Sequence, residues 1–234
     1  MMLQQTQVSR VVLKFEHFVS RFPDWQALAS AGLPEVLEVW QGLGYNRRAR
    51  WLHQLAQAVV GQYDGDLPTD QNELVKLPGI GPNTAGSIAA FAFNQPVVFI
   101  ETNIRRVFIH HFFEDHTDVS DKQLMPFIEK SLDQENPRDW YYALMDYGSY
   151  LVKTVPNPNR KSRHYARQST FEGSHRQLRG KVLRYFLEHR TVTQKQLSQE
   201  FSGESLHRLD QVIDEYVKEK LIIRQGRESL SLID

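Results

Sequence analysis

The chain of 234 residues contains no cysteine. This absence excludes disulfide bonds, thiolate zinc sites, cysteine-ligated iron–sulfur clusters and a cysteine nucleophile. The chain also has no apolar run near the roughly 18 residues that a membrane-spanning helix requires. Its polar start lacks the apolar core of a signal peptide. We therefore expect a cytoplasmic protein that has no membrane partner.

Net charge is absent as well, but the charges are unevenly distributed. The chain has 28 basic and 28 acidic residues, and residues 1–155 sum to −5 while residues 156–234 sum to +5. The segment 153–184 holds nine basic residues against one acid, Glu172. Such a block is typical of a surface that binds a polyanion, and equally of a solvated loop and helix face.

The apolar residues have mostly helical spacing, which predicts a mostly α fold of one or two domains. Residues 8–18 have this spacing, and Pro23, Gly42 and Gly44 interrupt it. Further helices are predicted over residues 25–31, 33–40, 47–62, 84–93, 102–113, 124–132 and 139–152.

The last third of the chain reads differently. Residues 155–173 are rich in proline, asparagine and basic residues, which is typical of a linker or an extended loop. Helices are then predicted over residues 174–189, near 194–201 and over 204–220. The terminal alternation around Gln225 and Gly226 predicts a hairpin. Three helices followed by a hairpin indicate a winged-helix-like module.

The most informative motif is LPGIGPNTAG at positions 77–86. Gly79 and Gly81 carry no side chain, so backbone N–H groups can approach a phosphate there, and the following helix N-terminus adds a favourable dipole. This arrangement holds a nucleic-acid backbone without reading its sequence. The alternative is a plain turn between helices, with glycines required only by its geometry.

Three further motifs accompany it: LQQTQV at 3–8, WQGLGY at 40–45 and ALMDYG at 143–148. In order and spacing the four motifs resemble the A/G-specific adenine DNA glycosylases, which are helix-hairpin-helix base-excision enzymes related to endonuclease III. The resemblance covers about residues 1–152. It implies a two-lobed helix-hairpin-helix glycosylase fold, with a six-helix-barrel lobe at 1–98 and a second lobe at 99–155. A basic loop at 156–173 and the winged-helix-like module at 174–234 follow.

The resemblance implies a monofunctional DNA N-glycosylase. It would bind double-stranded DNA with a mismatched or damaged base as a monomer, on the nucleoid if the chain is bacterial. It would flip out adenine and hydrolyse its N-glycosidic bond. The family's general-acid Glu falls one position before Met1, so activity requires that residue upstream. Either the start is set at an internal Met or the acid is lost. The alternatives are a non-catalytic DNA-binding protein and a glycosylase of altered mismatch specificity.

Three residues stand at positions of the family's catalytic pocket, and two of them depart from the family's residues. Glu101 stands where the family has an Asp that stabilises the cationic sugar, although it could serve only the helix dipole. Asn103 matches a pocket Asn, or is an ordinary capping residue. Asn83 replaces the Lys with which endonuclease III-like enzymes form a Schiff base, so we expect no strand cleavage through this position.

The predicted DNA-binding residues combine the resemblance with the charge pattern. Gln4, Gln5 and Tyr45 match positions that contact or wedge into the base stack, although Tyr45 could be a half-buried core aromatic. Arg47, Arg48 and Arg50 could face phosphates or form a solvated helix surface, and of these Arg47 is predicted to bind DNA. The further predicted DNA-binding residues are Gly79, Gly81, Arg160, Lys161 and Arg163.

The resemblance also bears on cofactors. Most family members bind an iron–sulfur cluster through four cysteines, but Val152 stands at the first of those positions and the other three are missing too. We expect the basic segment after it to contact DNA by charge alone. No cofactor is predicted, apart from a possible monovalent cation at the hairpin 78–82. The scattered histidines, including the adjacent His110 and His111, predict no metal site. Residues 174–234 do not resemble the family's module for 8-oxoguanine.

Overall fold

The computed structural model describes residues 1–167, 170–226 and 228–233, and it is mostly helical. The chain forms two compact units. The terminal unit comprises residues 1–66 and 169–234, and the central unit comprises residues 67–168. Within the described ranges, no helix is both long enough and apolar enough to cross a membrane.

The terminal unit begins with four helices. They are α1 (Val8–Arg21), α2 (Trp25–Ser30), α3 (Leu33–Trp40) and α4 (Arg47–Gln62). Local sequence sets where they start: the Asp24 carboxylate accepts a 2.7 Å hydrogen bond from the Ala27 amide, and Pro34 lies in the first turn of α3. Trp40 is fully buried in the core of this unit.

The central unit is built from five helices and a short turn. They are α5 (Gln71–Lys76), α6 (Pro82–Phe93), α7 (Thr102–Phe112), α8 (Asp121–Ser131) and α9 (Pro137–Thr154), followed by a 3₁₀ turn at Pro158–Lys161. Two glycines allow close packing: a Cβ atom on Gly148 would lie 2.5 Å from the Asn103 carbonyl oxygen, and one on Gly86 would lie 2.5 Å from Phe99 Cβ. These contacts bring α9 against α7, and α6 against the segment that leads into α7.

The segment after α9 is packed, which corrects the prediction of a linker at 156–173. The Val119 amide donates to the Lys161 carbonyl at 2.8 Å, and the Arg163 amide donates to the Val119 carbonyl at 2.9 Å. Ser162, between them, is buried. Composition suggested an extended loop because the segment has few apolar residues, but backbone hydrogen bonds hold its first half in the central unit. Gln168 and Ser169 lie outside the described residues.

The last part of the terminal unit has the element order of a winged helix, as predicted. Its elements are α10 (His175–His189), β1 (Thr191–Thr193), α11 (Gln194–Glu200), α12 (Leu206–Lys218), β2 (Ile222–Gln225) and β3 (Ser229–Leu232). The strands form an antiparallel sheet in the order β1-β3-β2. The sequence did not indicate β1, because three residues are too short for alternation to be visible.

This module shares a core with the first four helices. Arg190 forms a 2.7 Å ion pair with Glu38 of α3, and Asn46 Nδ2 donates to the Tyr216 hydroxyl at 3.4 Å. Buried apolar residues of both parts belong to one cluster. The compact units therefore differ from the predicted division at residues 98, 155 and 173: the module joins residues 1–66, and position 98 lies inside the central unit.

Candidate active site and nucleic-acid interface

The turn between α5 and α6 exposes backbone where the sequence predicted a phosphate site. Leu77 and Ile80 are buried and anchor the turn, and the Ile80 amide donates to the Leu77 carbonyl at 3.1 Å. Gly79 has φ +74°, a conformation that favours glycine. Gly81 is the N-cap residue of α6, and a Cβ atom there would meet nothing within 4 Å. An anion can therefore approach the N-terminus of α6 without obstruction.

Asn83 lies exposed on the first turn of α6, next to this open backbone. Its side chain is an amide, which can donate and accept hydrogen bonds but cannot form a Schiff base. The structure thus places Asn83 beside the hairpin. Its assignment to the catalytic pocket stays a prediction.

A buried extended segment delivers Glu101 to the start of α7. Phe99 and Ile100 are buried, and Tyr141 of α9 holds the backbone around them. The Tyr141 hydroxyl donates to the Val97 carbonyl at 2.8 Å and accepts from the Phe99 amide at 3.3 Å. Burial raises the pKa of Tyr141 to about 12, so this phenol stays protonated and can keep donating.

Glu101 caps the N-terminus of α7. Its Oε1 accepts hydrogen bonds from the Asn103 amide and, at 2.8 Å, from the Ile104 amide. Burial raises the pKa of Glu101, while these amides and then Arg105 and Arg106 act in the opposite direction. A helix N-terminus favours the ionised carboxylate, but the desolvation of Glu101 opposes its ionisation. In a site of low dielectric, the ionised form attracts a nearby cation more strongly than it would in water.

Arg106 fixes the side chain of Asn103. Its Nη1 donates to Asn103 Oδ1 at 2.7 Å and also to the Gly148 carbonyl. Asn103 Nδ2 in turn approaches Met145 Sδ at 3.8 Å. Burial lowers the pKa of Arg106, and the charge of Glu101 opposes this change. Sequence reasoning missed Arg106, although its spacing of three residues from Asn103 on a predicted helix could have indicated the pair.

Two asparagines tie the segment after α9 to the start of α7. Asn157 Oδ1 accepts a 3.3 Å hydrogen bond from Arg106 Nε, and Asn159 Nδ2 donates to the Thr102 carbonyl at 2.9 Å. Asn159 Oδ1 is buried and has no hydrogen-bond partner within the described part of the chain. With no cysteine and with Val152 half-exposed, the residues here do not fit an iron–sulfur cluster. Hydrogen bonds, rather than a cluster, hold the segment.

The three predicted basic contacts of this segment differ in their surroundings. Arg163 forms a 2.5 Å ion pair with Asp118, and Lys161 donates to the Glu114 carbonyl. Arg160 is exposed and makes no ion pair in the described ranges. A phosphate would have to compete with protein partners at Lys161 and Arg163. Contact of all three residues with DNA stays a prediction.

In the terminal unit, Arg48 forms hydrogen bonds with both of the turns that carry residues predicted to contact the base stack. Its guanidinium donates to the carbonyls of Gln4 at 2.5 Å and Gly44 at 3.1 Å, and to four further acceptors in residues 1–6 and 43. Arg48 is buried, so the expectation that it faces phosphates is wrong. The carbonyl oxygens of both turns need a buried donor, and Arg48 supplies the four N–H groups on Nη1 and Nη2. Arg50 is half-buried on the same helix.

The residues carried by these turns point into solvent. Gln5 and Tyr45 are exposed and have φ +54° and +48°, a conformation that non-glycine residues seldom adopt. Gln4 is half-buried. Arg47 is exposed and stacks on Trp51, with its guanidinium carbon 4.3 Å from the ring centre. The backbone strain at two predicted DNA-contacting residues is the kind of feature that marks functional turns.

Among the residues that the structure describes, no group of three His, Cys, Asp or Glu side chains could hold a metal ion.

Comparison with known proteins connects these features to a family. Residues 1–133 match the HhH-GPD superfamily base excision DNA repair protein family. The chain is 34% identical over 163 residues to the adenine DNA glycosylase of Buchnera aphidicola subsp. Baizongia pistaciae, covering 68% of this chain and 46% of the relative. The adenine DNA glycosylase of Mycolicibacterium smegmatis is 46% identical over 106 residues, which cover 45% of this chain and 36% of the relative. The adenine DNA glycosylase of Homo sapiens is 36% identical over 163 residues, which cover 68% of this chain and 29% of the relative.

Two solved structures share the fold. A thermostable thymine-DNA glycosylase has a TM-score of 0.57 at 22% identity, over 69% of this chain and 74% of that one. A trapped endonuclease III–DNA covalent intermediate has a TM-score of 0.57 at 21% identity, over 67% of this chain and 76% of that one. These likenesses confirm the predicted mostly α, helix-hairpin-helix glycosylase fold.

The superfamily match covers more than half of the chain and includes both the hairpin 77–86 and Glu101. The chain belongs to the HhH-GPD superfamily of base excision DNA repair proteins. The predicted resemblance to adenine DNA glycosylases is confirmed by the curated relatives. The chain spans less than half the length of those relatives.

Proposed function

We propose that the protein is a DNA glycosylase that removes a mispaired adenine from double-stranded DNA. The observation that carries this proposal is the half-buried carboxyl of Glu101 at the N-terminus of α7. The packing of Gly86 on Phe99 puts the hairpin helix in contact with the segment that leads directly to this carboxyl. The names of the relatives at 34–46% identity support adenine as the base.

The chemistry begins with extrusion of the base, because the glycosidic bond cannot be attacked inside the duplex. Protonation of the adenine ring lets the N-glycosidic bond break, and the bonding electrons leave with the base. The sugar then has oxocarbenium character, and the Glu101 carboxylate stabilises it until water adds at C1′ and loses a proton. Asn83 offers no amine, so the reaction stops at an abasic site without strand cleavage. In this proposal the proton donor is the family's general-acid Glu, which would stand immediately before Met1.

The remaining parts of the proposal concern binding. The open N-terminus of α6 holds a phosphate, while Gln5 and Tyr45 act on the base stack through their exposed side chains. The reaction uses no iron–sulfur cluster or other cofactor, and the hairpin 78–82 is where a monovalent cation would bind. We propose that the protein acts as a monomer in the cytoplasm, on the nucleoid if it is bacterial.

The test is a base-excision assay on duplexes that carry A opposite 8-oxoguanine, A opposite G, T opposite G or U opposite G. The chain is assayed as printed and also preceded by the residues that its gene encodes upstream of Met1. Abasic product from an adenine duplex supports the proposal, and product only from T or U duplexes indicates an altered specificity. Tight duplex binding without product on any substrate would instead support a non-catalytic DNA-binding protein.

A further inference from the structure

The winged-helix module does not present a basic recognition helix. In a helix-turn-helix the second helix normally enters the major groove, and here that helix is α12. Its exposed face carries Asp210 and Asp214, and Asp214 pairs with Arg224 of β2 at 2.6 Å. Asp210 accepts a hydrogen bond from Gln194 at 3.3 Å. The same face also carries Lys218, so its charge is mixed and does not favour the usual docking of this helix against phosphates.

Helix α10 carries four basic residues of the module, which are Arg176, Arg179, Lys181 and Arg184. Leu178, Val182 and Phe186 form the buried side of this helix. Arg179 is not part of the outer surface, because it pairs with Glu215 and, at 2.7 Å, with Glu219. Along the opposite side of α10, Arg176, Gly180 and Arg184 follow one another about one helical turn apart. Lys181 lies beside this row. The exposed residues of this outer face are Gly180, Lys181, Arg184 and Glu188, and the half-buried Arg176 lies at its edge. The face therefore carries three basic residues and one acid.

Gly180 at the centre of this face has no explanation inside the module. It is exposed in the interior of a 15-residue helix, where glycine is a poor helix former. A Cβ atom there would meet nothing within 4 Å, so internal packing does not require glycine. Glycine also permits the backbone to come very close to a ligand. A glycine at position 180 is explained if a group from another molecule lies against α10 at this point.

We propose that this outer face of α10 binds the sugar–phosphate backbone of duplex DNA. Charge complementarity identifies the occupant, because Lys181 and Arg184 are exposed and flank a position where a strand can approach the helix closely. Phosphate contacts of this kind position a protein on DNA without reading sequence. The inference rests on the proposed function only for the choice of duplex DNA as partner.

The test measures duplex affinity by fluorescence anisotropy between about 50 and 200 mM salt for the Lys181→Glu/Arg184→Glu double variant of the full chain. Affinity at the lower salt concentration falls about tenfold, and the slope of log affinity against log salt becomes shallower by about two. The matched control is Lys195→Glu/Lys218→Glu, which makes the same charge change at exposed lysines of α11 and α12. Unchanged affinity in the first variant, or an equal loss in the control, overturns the proposal.

A second variant tests close approach separately from charge. Gly180→Leu replaces a poor helix former with a good one, so the thermal midpoint rises while duplex affinity falls severalfold. Affinity equal to that of the wild type contradicts a strand lying against Gly180. A chain that excises nothing but shows both affinity losses defeats the proposed function and leaves this inference standing.

Discussion

The guanidinium of Arg106 donates a 2.7 Å hydrogen bond to the side-chain oxygen of Asn103, two residues after the candidate catalytic carboxyl. The same guanidinium reaches the Gly148 carbonyl and the Asn157 side chain, so one buried cation joins α7, α9 and the following segment. The geometry at the start of α7 therefore depends on residues more than 40 positions away in the chain.

Replacing Arg106 tests this dependence. Arg106→Ala leaves the Gly148 carbonyl and the Asn103 side chain without their donor, so the free energy of unfolding falls by about 3 kcal/mol. Urea denaturation measures the loss. The control is Arg160→Ala at an exposed position, which changes stability by no more than about 0.5 kcal/mol. Equal stability of the two variants would show that Arg106 does not hold the site together.

The unpaired oxygen of Asn159 makes a second prediction. Asn159→Asp places a negative charge at a buried position where the described residues provide no donor for Oδ1, and it removes the donor to the Thr102 carbonyl. We expect it to destabilise the protein by about 2 kcal/mol more than Asn159→Ala, which removes the orphan acceptor altogether. Thermal or urea unfolding shows which of the two variants is the less stable. If Asn159→Ala is the less stable one, Oδ1 has a hydrogen-bond partner.

The close approach of α9 to α7 gives a third prediction. In Gly148→Ala the new Cβ atom would lie 2.5 Å from the Asn103 carbonyl oxygen, so the helices must separate, at a cost of about 3 kcal/mol. Gly61→Ala is the matched control, because a Cβ atom there meets nothing within 4 Å. That change stabilises α4 by up to about 1 kcal/mol. Two variants with the same melting behaviour would contradict the packing at Gly148.

The raised pKa of Glu101 predicts opposite pH dependences of stability and activity. The folded protein binds this proton more tightly than the unfolded chain does. Relative to Glu101→Gln, the wild type therefore gains stability as the pH falls through the raised pKa and loses that gain as the pH rises through it. Base excision falls as the pH decreases through the same range, because only the ionised carboxylate stabilises the cationic sugar.

Urea unfolding of the wild type and Glu101→Gln at a series of pH values measures the pH dependence of stability. Single-turnover excision by the wild type measures the pH dependence of activity. Two curves that change at the same pH support one titrating carboxyl. A stability difference that does not vary with pH means that Glu101 has an ordinary pKa.

Local sequence predicted the helices well where strong signals bound them. The predicted helices at 33–40 and 47–62 match α3 and α4, because Pro34 starts one and glycines separate the pair. The capping pair Ser120 and Gln123 likewise marks the start of α8, where the Ser120 amide donates to Gln123 Oε1 at 3.0 Å. These features involve residues close together in the chain.

The candidate site was predictable only in part, for the same physical reason. Motifs located the hairpin and Glu101, but the roles of Arg48, Arg106 and Asn159 arise from contacts with residues distant in sequence. An arginine that serves backbone carbonyls has the same sequence pattern as one that faces phosphates. Only the fold shows that Arg48 is buried and that the basic segment after α9 is tied to α7.

Single-turnover excision of adenine opposite 8-oxoguanine, by the wild type and by Glu101→Gln in the chain that includes the residues encoded upstream of Met1, tests the central claim most directly. The account predicts abasic product from the wild type and a rate lower by about 10²–10³-fold in the variant, with duplex affinity retained. Equal rates for the two proteins would contradict the assignment of Glu101 as the group that stabilises the sugar cation.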